Sequence, residues 1–256
     1  MQKKIAVIND LSGYGRCSLT VAIPVLSAMG HQCCPIPTAI LSNHTEFPVY
    51  FFDDYTEKMT TYTDKWKELG LSFDAIATGF LGSEAQIGIV MEIVQKLKAE
   101  KTFVVVDPVM GDHGHAYETY TPEMCEQMKE LVCMADVVLP NVTECCILTD
   151  TPYREENWTR KELLNMAMML RLMGAKSVVI TGVREGSCYT NVVLEQGQYD
   201  AKFIRTRSSG GERPGTGDVF SSVVAGALLN GKSLPEAVSQ AAGFVKECIK
   251  VSDEEQ

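Results

Sequence analysis

The chain reads as an α/β domain: a doubly wound, mostly parallel central sheet with helices on both faces and a small antiparallel hairpin at one edge. Short β-rich runs alternate with longer amphipathic stretches, the pattern of repeated β-α units. The runs are almost continuously apolar, as in Phe103-Val104-Val105-Val106, which marks parallel strands covered on both faces. With 256 residues, no low-complexity linker and no internal repeat, a single domain over 1–256 is expected.

In chain order, strands are expected at Ile5–Ile8, Cys33–Pro37, Ala75–Thr78, Phe103–Asp107, Val137–Leu139 and Ser177–Thr181, each an apolar run of strand length. The later runs Cys188–Val193 and Gln198–Arg205 read as the antiparallel hairpin. Amphipathic stretches predict helices at Thr20–Met29, Tyr55–Leu69, Ser83–Glu100, Pro122–Met134, Thr159–Met173, Asp218–Asn230 and Leu234–Ser252. In Asp218–Asn230, Phe220, Val223, Val224, Ala227 and Leu228 fall on one helical face. Ligands of such sheets bind in loops at the carboxyl ends of strands.

Hydrophobic residues make up 45% and charged residues 22%, an ordinary globular balance, and the core needs no disulfide or metal to fold. The net charge of −10 argues against nucleic acid or an anionic membrane as partner. Nine cysteines, an odd count without CxxC spacing, suggest neither a zinc site nor a disulfide framework, and reduced thiols point to the cytoplasm. The apolar run Ile5–Ile8 after Met1-Gln2-Lys3-Lys4 is too short for a signal peptide or a membrane span.

The most informative residues are Pro214-Gly215-Thr216-Gly217-Asp218, which lead into the apolar helix. Glycines let a backbone approach a ligand, and a helix N-terminus offers unpaired N–H groups to an anion. Asp218 falls in the first turn, where the helix dipole favours its ionised form. A carboxylate beside an anion hole suits a kinase: it takes the proton of an attacking hydroxyl while the amides hold the transferring phosphoryl group. The same residues also suit an ordinary turn and helix start.

PGTGD before a small-residue apolar helix resembles the signature of the ribokinase-like superfamily. The resemblance implies that Asp218 is the catalytic base and that Gly215, Thr216 and Gly217 form the anion hole. Two further segments narrow it. Ser42-Asn43-His44-Thr45 resembles the SNHT segment of pyridoxal kinases, and Asp107-Pro108-Val109-Met110-Gly111-Asp112 accompanies it. Through these, Ser12, Thr45 and Phe80 are implied to hold a vitamin B6 ring, with His44 structural; Phe80 stands where those enzymes usually have Tyr. The opening Asp10-Leu11-Ser12-Gly13-Tyr14-Gly15 also resembles hydroxymethylpyrimidine kinases, which is the alternative reading. A non-catalytic sensor and a sugar kinase are the others.

For nucleotide and metal, two carboxylates at a strand's carboxyl end, Asp107 and Asp112, can hold hydrated Mg²⁺. The resemblance to the pyridoxal kinases implies that the polar loop His113–Tyr117 covers the phosphates and substrate; a surface loop without a role is the plainer reading. Pro140-Asn141-Val142-Thr143-Glu144 resembles the superfamily's PNxxE segment, which implies that Asn141 and Glu144 organise the Mg²⁺ shell; a helix-capping role is the plainer reading. The resemblance assigns Asp107, Asn141, Glu144, Thr181, Gly182 and Arg213 to ATP, and Asp112 and Glu144 to the metal. Phe203–Arg213 is expected to flank the adenine or ribose, with Arg205, Arg207 and Arg213 offsetting phosphate charge. A K⁺ ion and a homodimer are implied by the resemblance alone. Relatives of this kind usually continue for a further strand or helix beyond the one predicted over Pro235–Val251.

Overall fold

The computed structural model describes residues 2–45, 47–211 and 213–254. Its elements run β1 (Lys4–Tyr14), α1 (Ser18–Ala28), β2 (Gln32–Asn43), β3 (Phe52–Asp54), α2 (Thr56–Glu68), β4 (Ala75–Thr78), α3 (Glu84–Leu97), β5 (Phe103–Val106), β6 (Gly111–Asp112), β7 (His115–Ala116) and α4 (Pro122–Cys133). They continue with β8 (Val137–Val138), α5 (Val142–Leu148), α6 (Arg160–Met173), β9 (Ser177–Glu185), β10 (Cys188–Leu194), β11 (Lys202–Arg207), α7 (Thr216–Leu229) and α8 (Leu234–Glu254).

Among the described residues, nine strands form one sheet in the order β11-β10-β9-β8-β5-β4-β1-β2-β3. The run from β9 to β2 is parallel, while β3, β10 and β11 join antiparallel at the two edges. Side chains alternate between two cores, as strand geometry requires. Ala6, Ile8, Ile76, Val104, Val106, Val178 and Ile180 face α2 to α6, and Ile5, Val7, Ala75, Val105 and Val179 face α1, α7 and α8. The continuous apolar runs are therefore buried from both sides, and the doubly wound sheet expected from them is the one found.

The structure departs from the expected boundaries at the carboxyl ends of strands. β1 runs on to Tyr14 and β2 to Asn43, paired with each other across an irregularity between Asn9 and Leu11. Thus Ser12 and the start of the Ser42–Thr45 segment belong to strands, not loops. β9 continues through Thr181 and Gly182 to Glu185 to pair with β10. The edge hairpin is β10 and β11, with β9 beside it. The polar loop after β5 is a small hairpin of its own, β6–β7. A short helix, α5, follows Asn141; its N-terminus is closed by a capping box between Asn141 and Glu144. The chain reverses its direction of winding about β1, between β4 and β2, and the crevice for ligands opens there.

Candidate active site

The site is built from the N-terminus of α7 downward. Gly215 caps that helix with φ +79°, in the left-handed region that favours glycine. A Cβ there would lie 1.8 Å from the carbonyl oxygen of Arg16, so the turn presses directly on the backbone before α1. The first helical bond is from the Val219 N–H to Gly215 O (3.0 Å). The amides of Thr216, Gly217 and Asp218 precede it and have no intrahelical acceptor. A Cβ on Gly217 would meet nothing within 4 Å, which leaves that backbone open to a ligand.

Asp218 is fixed by two donors from distant parts of the chain. Ser18 donates its N–H (2.8 Å) and Asn9 its Nδ2 (3.0 Å). The Asn9 Oδ1 accepts from the N–H groups of Asp10 and Phe80, both at 3.0 Å, so the amide group must point at Asp218. Ser18, the first residue of α1, has φ +53°, uncommon for a residue with a side chain and held only by its surroundings. Its hydroxyl donates to Asp10 at 2.5 Å, and the Ser12 hydroxyl donates to the other oxygen of Asp10 at 2.8 Å. The helix dipole was expected to keep Asp218 readily ionised. Burial outweighs it: desolvation, helped by the Asp10 charge, pushes its pKa up to about 6, against the bonds from Ser18 and Asn9. A carboxylate tuned near neutrality suits a general base better than an ordinary one.

A second group of acids lines the neighbouring strand ends. At the end of β5, burial and the Asp218 charge push Asp107 up to about 8, opposed by a hydrogen bond from Ser221 of α7. Burial and the Asp107 charge also raise Glu144, whose two oxygens accept the N–H groups of Met110 (3.1 Å) and Asn141 (2.8 Å). Asp112 stands exposed on β6, its carboxylate accepting the His113 N–H at 2.8 Å. Burial and the charges of Asp107 and Asp112 act together against ionisation of Glu144, which is the environment a divalent cation relieves. Among the described residues, no group of three His, Cys, Asp or Glu forms a closed cage. The donor set is all oxygen and sparse, which fits Mg²⁺ that keeps most of its waters.

The other expected residues fall around these two groups. Ser12 is 1% exposed and reaches Asp218 through Asp10 and Ser18. Phe80 is tied to Asp218 through Asn9 and packs on the larger core. Thr45 is exposed in the turn after β2, just past His44, whose N–H reaches Tyr14 O (3.3 Å). The His44 ring packs against Phe47 in a tilted arrangement, with centroids 4.6 Å apart. Asn141 donates to Gly111 O (2.9 Å) and bridges to Thr181, so the phosphate-side residues form one edge of the crevice. Gly182 is exposed, its N–H bonded to Asn191 Oδ1 (3.2 Å). Arg213 is half-buried and accepts the Thr216 hydroxyl on its carbonyl (3.0 Å). Arg205 is exposed and paired with Glu185 at 3.6 Å. Asn9, Asp10 and Ser18 were not anticipated; two polar residues directly after the first buried strand were the available signal.

Residues 22–255 match the phosphomethylpyrimidine kinase family. The chain belongs to this family. A pyridoxine/pyridoxal/pyridoxamine kinase of Bordetella avium is 27% identical over 256 residues, covering 94% of this chain and 83% of that one. A Bacteroides thetaiotaomicron protein, provisionally assigned as a phosphomethylpyrimidine kinase and solved with pyridoxal, superposes with a TM-score of 0.90 at 42% identity, covering 95% and 86% of the two chains. The pyridoxal kinase of Lactobacillus plantarum superposes with a TM-score of 0.92 at 28% identity, covering 100% and 90%. Family membership agrees with the resemblance carried by PGTGD, and the pyridoxal kinases among the relatives agree with that carried by SNHT.

Proposed function

We propose that this chain is an ATP-dependent kinase that phosphorylates the 5′-hydroxymethyl group of a vitamin B6 vitamer. The observation that carries the reading is Asp218, raised to about 6 and pinned by Asn9 and Ser18 at the anion-binding start of α7. The pyridoxal, pyridoxine and pyridoxamine kinases among its relatives, and the pyridoxal held by the Bacteroides protein, support the choice of substrate.

Asp218 accepts the proton of the substrate hydroxyl. The freed oxygen lone pair forms a bond to the γ-phosphorus of ATP as the bond to the bridging β,γ-oxygen breaks, and that electron pair leaves with ADP. The amides of Gly215, Thr216 and Gly217 hold the charge that spreads over the transferring group. Ser12, Thr45 and Phe80 hold the ring; Thr181, Gly182 and Arg213 lie on the nucleotide side. Asp107, Asp112, Asn141 and Glu144 would hold hydrated Mg²⁺, which neutralises charge on the phosphates. No helix among the described residues is long and apolar enough to cross a membrane. A homodimer is supported by the outer edge, where Val49, Tyr50, Phe51 and Phe52 are exposed beside the unpaired side of β3.

The family's pyrimidine substrate is the competing choice. Rates on pyridoxal, pyridoxamine, pyridoxine and hydroxymethylpyrimidine, measured side by side with MgATP, decide it. The proposal expects a B6 vitamer to have the highest kcat/KM. A clear preference for hydroxymethylpyrimidine would overturn the substrate, and ligand-induced stabilisation without a phosphate ester would overturn the kinase.

A further inference from the structure

We propose that Asp10 is a positioning residue for phosphoryl transfer: its carboxyl group aims the Ser18 N–H at the base, Asp218, and sets Ser12 on the ring side. Its purpose rests on the kinase reading above. Asp218 is held by Asn9 and Ser18, and Asp10 touches both. The Asp10 backbone N–H donates to Asn9 Oδ1 at 3.0 Å, which turns the Asn9 amide toward the base. The Asp10 side chain accepts the Ser18 hydroxyl at 2.5 Å on one oxygen and the Ser12 hydroxyl at 2.8 Å on the other. Asp10 lies in the later half of β1 and is 6% exposed, so both oxygens serve the interior.

The start of α1 shows why a brace is needed. Cys17 stands at its N-cap with no side-chain capping bond, and its first turn holds no acidic residue. Asp218, 200 positions further on, supplies the missing acceptor. Ser18 meets it from φ +53°, a region that glycine enters freely and serine does not. The bond from its hydroxyl to Asp10 holds it there. The residues just before it are pressed from the other side, since a Cβ on Gly215 would lie 1.8 Å from Arg16 O and 3.1 Å from Cys17 Cα. Residues 16–18 are thus clamped between the anion-binding turn of α7 and Asp10. A slack Ser18 would let the base drift from its attacking geometry and lower kcat. A slack Ser12 would loosen the ring and raise KM for the vitamer. Asp10 acts through these two serines.

Hydrogen-exchange protection of the residue 18 amide reports the brace without reference to activity. Protection is expected to fall about tenfold in Asp10→Ala and to return when Ser18→Gly is added, because glycine keeps a positive φ unaided. Steady-state kinetics with pyridoxal and MgATP report the purpose. Asp10→Ala is expected to lose about tenfold or more in kcat and to raise KM for pyridoxal about threefold, with KM for ATP unchanged. Adding Ser18→Gly should restore most of kcat and leave KM for pyridoxal raised, since Ser12 still lacks its acceptor. Asp10→Asn, whose amide can accept from one serine and donate to the other, should fall between Asp10→Ala and wild type. Should Asp10→Ala fail to fold, Ser18→Ala and Ser18→Gly carry the comparison. Both remove the same bond to Asp10, and the glycine variant is expected to keep the amide on Asp218, with about tenfold the kcat of the alanine variant. Failure of Ser18→Gly to restore protection and kcat, or equal values in those two single variants, would overturn the brace. The expected protection pattern with kcat unmoved by Asp10→Ala would overturn its part in the reaction. A wild-type KM for pyridoxal in Asp10→Ala would overturn the link to Ser12. The expected protection pattern in a protein that makes no vitamer phosphate would keep the brace and refute the kinase instead.

Discussion

Replacing Asp218 by Asn is expected to make the protein more stable at alkaline pH, by an amount that shrinks as the pH falls. The carboxyl titrates at about 6 in the folded chain, against 3.8 for an ordinary aspartate. A pKa raised by folding adds stability below the unfolded value, and that stability is lost as the pH rises through the folded one. The difference corresponds to about 3 kcal/mol against the ionised native state at pH 8, and roughly half of that at pH 5. The amide is neutral at both pH values and escapes this penalty. It loses the bond from Asn9, because two NH₂ groups then face each other, at a cost of about 1 kcal/mol. The net expectation is a gain of about 2 kcal/mol at pH 8 and well under 1 kcal/mol at pH 5. For a domain of this size the pH 8 gain is a rise in Tm of about 4–8 °C. Thermal unfolding of both proteins at the two pH values measures it. Equal Tm differences at pH 5 and pH 8, or a variant less stable at pH 8, would refute the view that an uncompensated charge is held at this position.

Other consequences follow from the same geometry. The wild-type kcat/KM should fall below about pH 6 on one ionisation, and Asn9→Ala should move that limb up by roughly one pH unit, the worth of one hydrogen bond to a charged group; a pH–rate profile with the limb unmoved would separate Asn9 from the base. Gly215→Ala should fail to fold or lose several kcal/mol, since its Cβ meets the Arg16 carbonyl, whereas Gly217→Ala should keep its Tm and lose turnover. Paired Tm and kcat measurements check both. Glu144→Gln should cost about 1–3 kcal/mol by setting an amide N–H₂ against a backbone N–H, and should raise the Mg²⁺ concentration needed for half-maximal rate; a Mg²⁺ titration of the variant tests this.

The fold was legible because its signals are local. Parallel strands buried on both faces must be apolar throughout, as Val104–Val106 are, and the start of α7 needs glycine and an acidic residue at fixed positions. The site was legible only where its chemistry follows one segment, as at Gly215–Asp218. Asn9 and Ser18 touch Asp218 across 209 and 200 residues of chain, and no spacing within the sequence encodes such a contact. The extension of β1 was hidden for a related reason. Asn9, Asp10 and Ser12 interrupt the apolar run, yet they are buried in strand because they satisfy one another and Ser18. The hairpin strands β6 and β7 have two residues each, too short for any periodicity to register.

The most direct measurement is phosphorus NMR of the wild type and Asp218→Asn incubated with pyridoxal, ATP and Mg²⁺. The wild type is expected to convert pyridoxal to its 5′-phosphate with matching ADP, and the folded variant to do so at least about 100-fold more slowly while still binding both substrates. Near-normal turnover by the variant would contradict the assignment of Asp218 as the base.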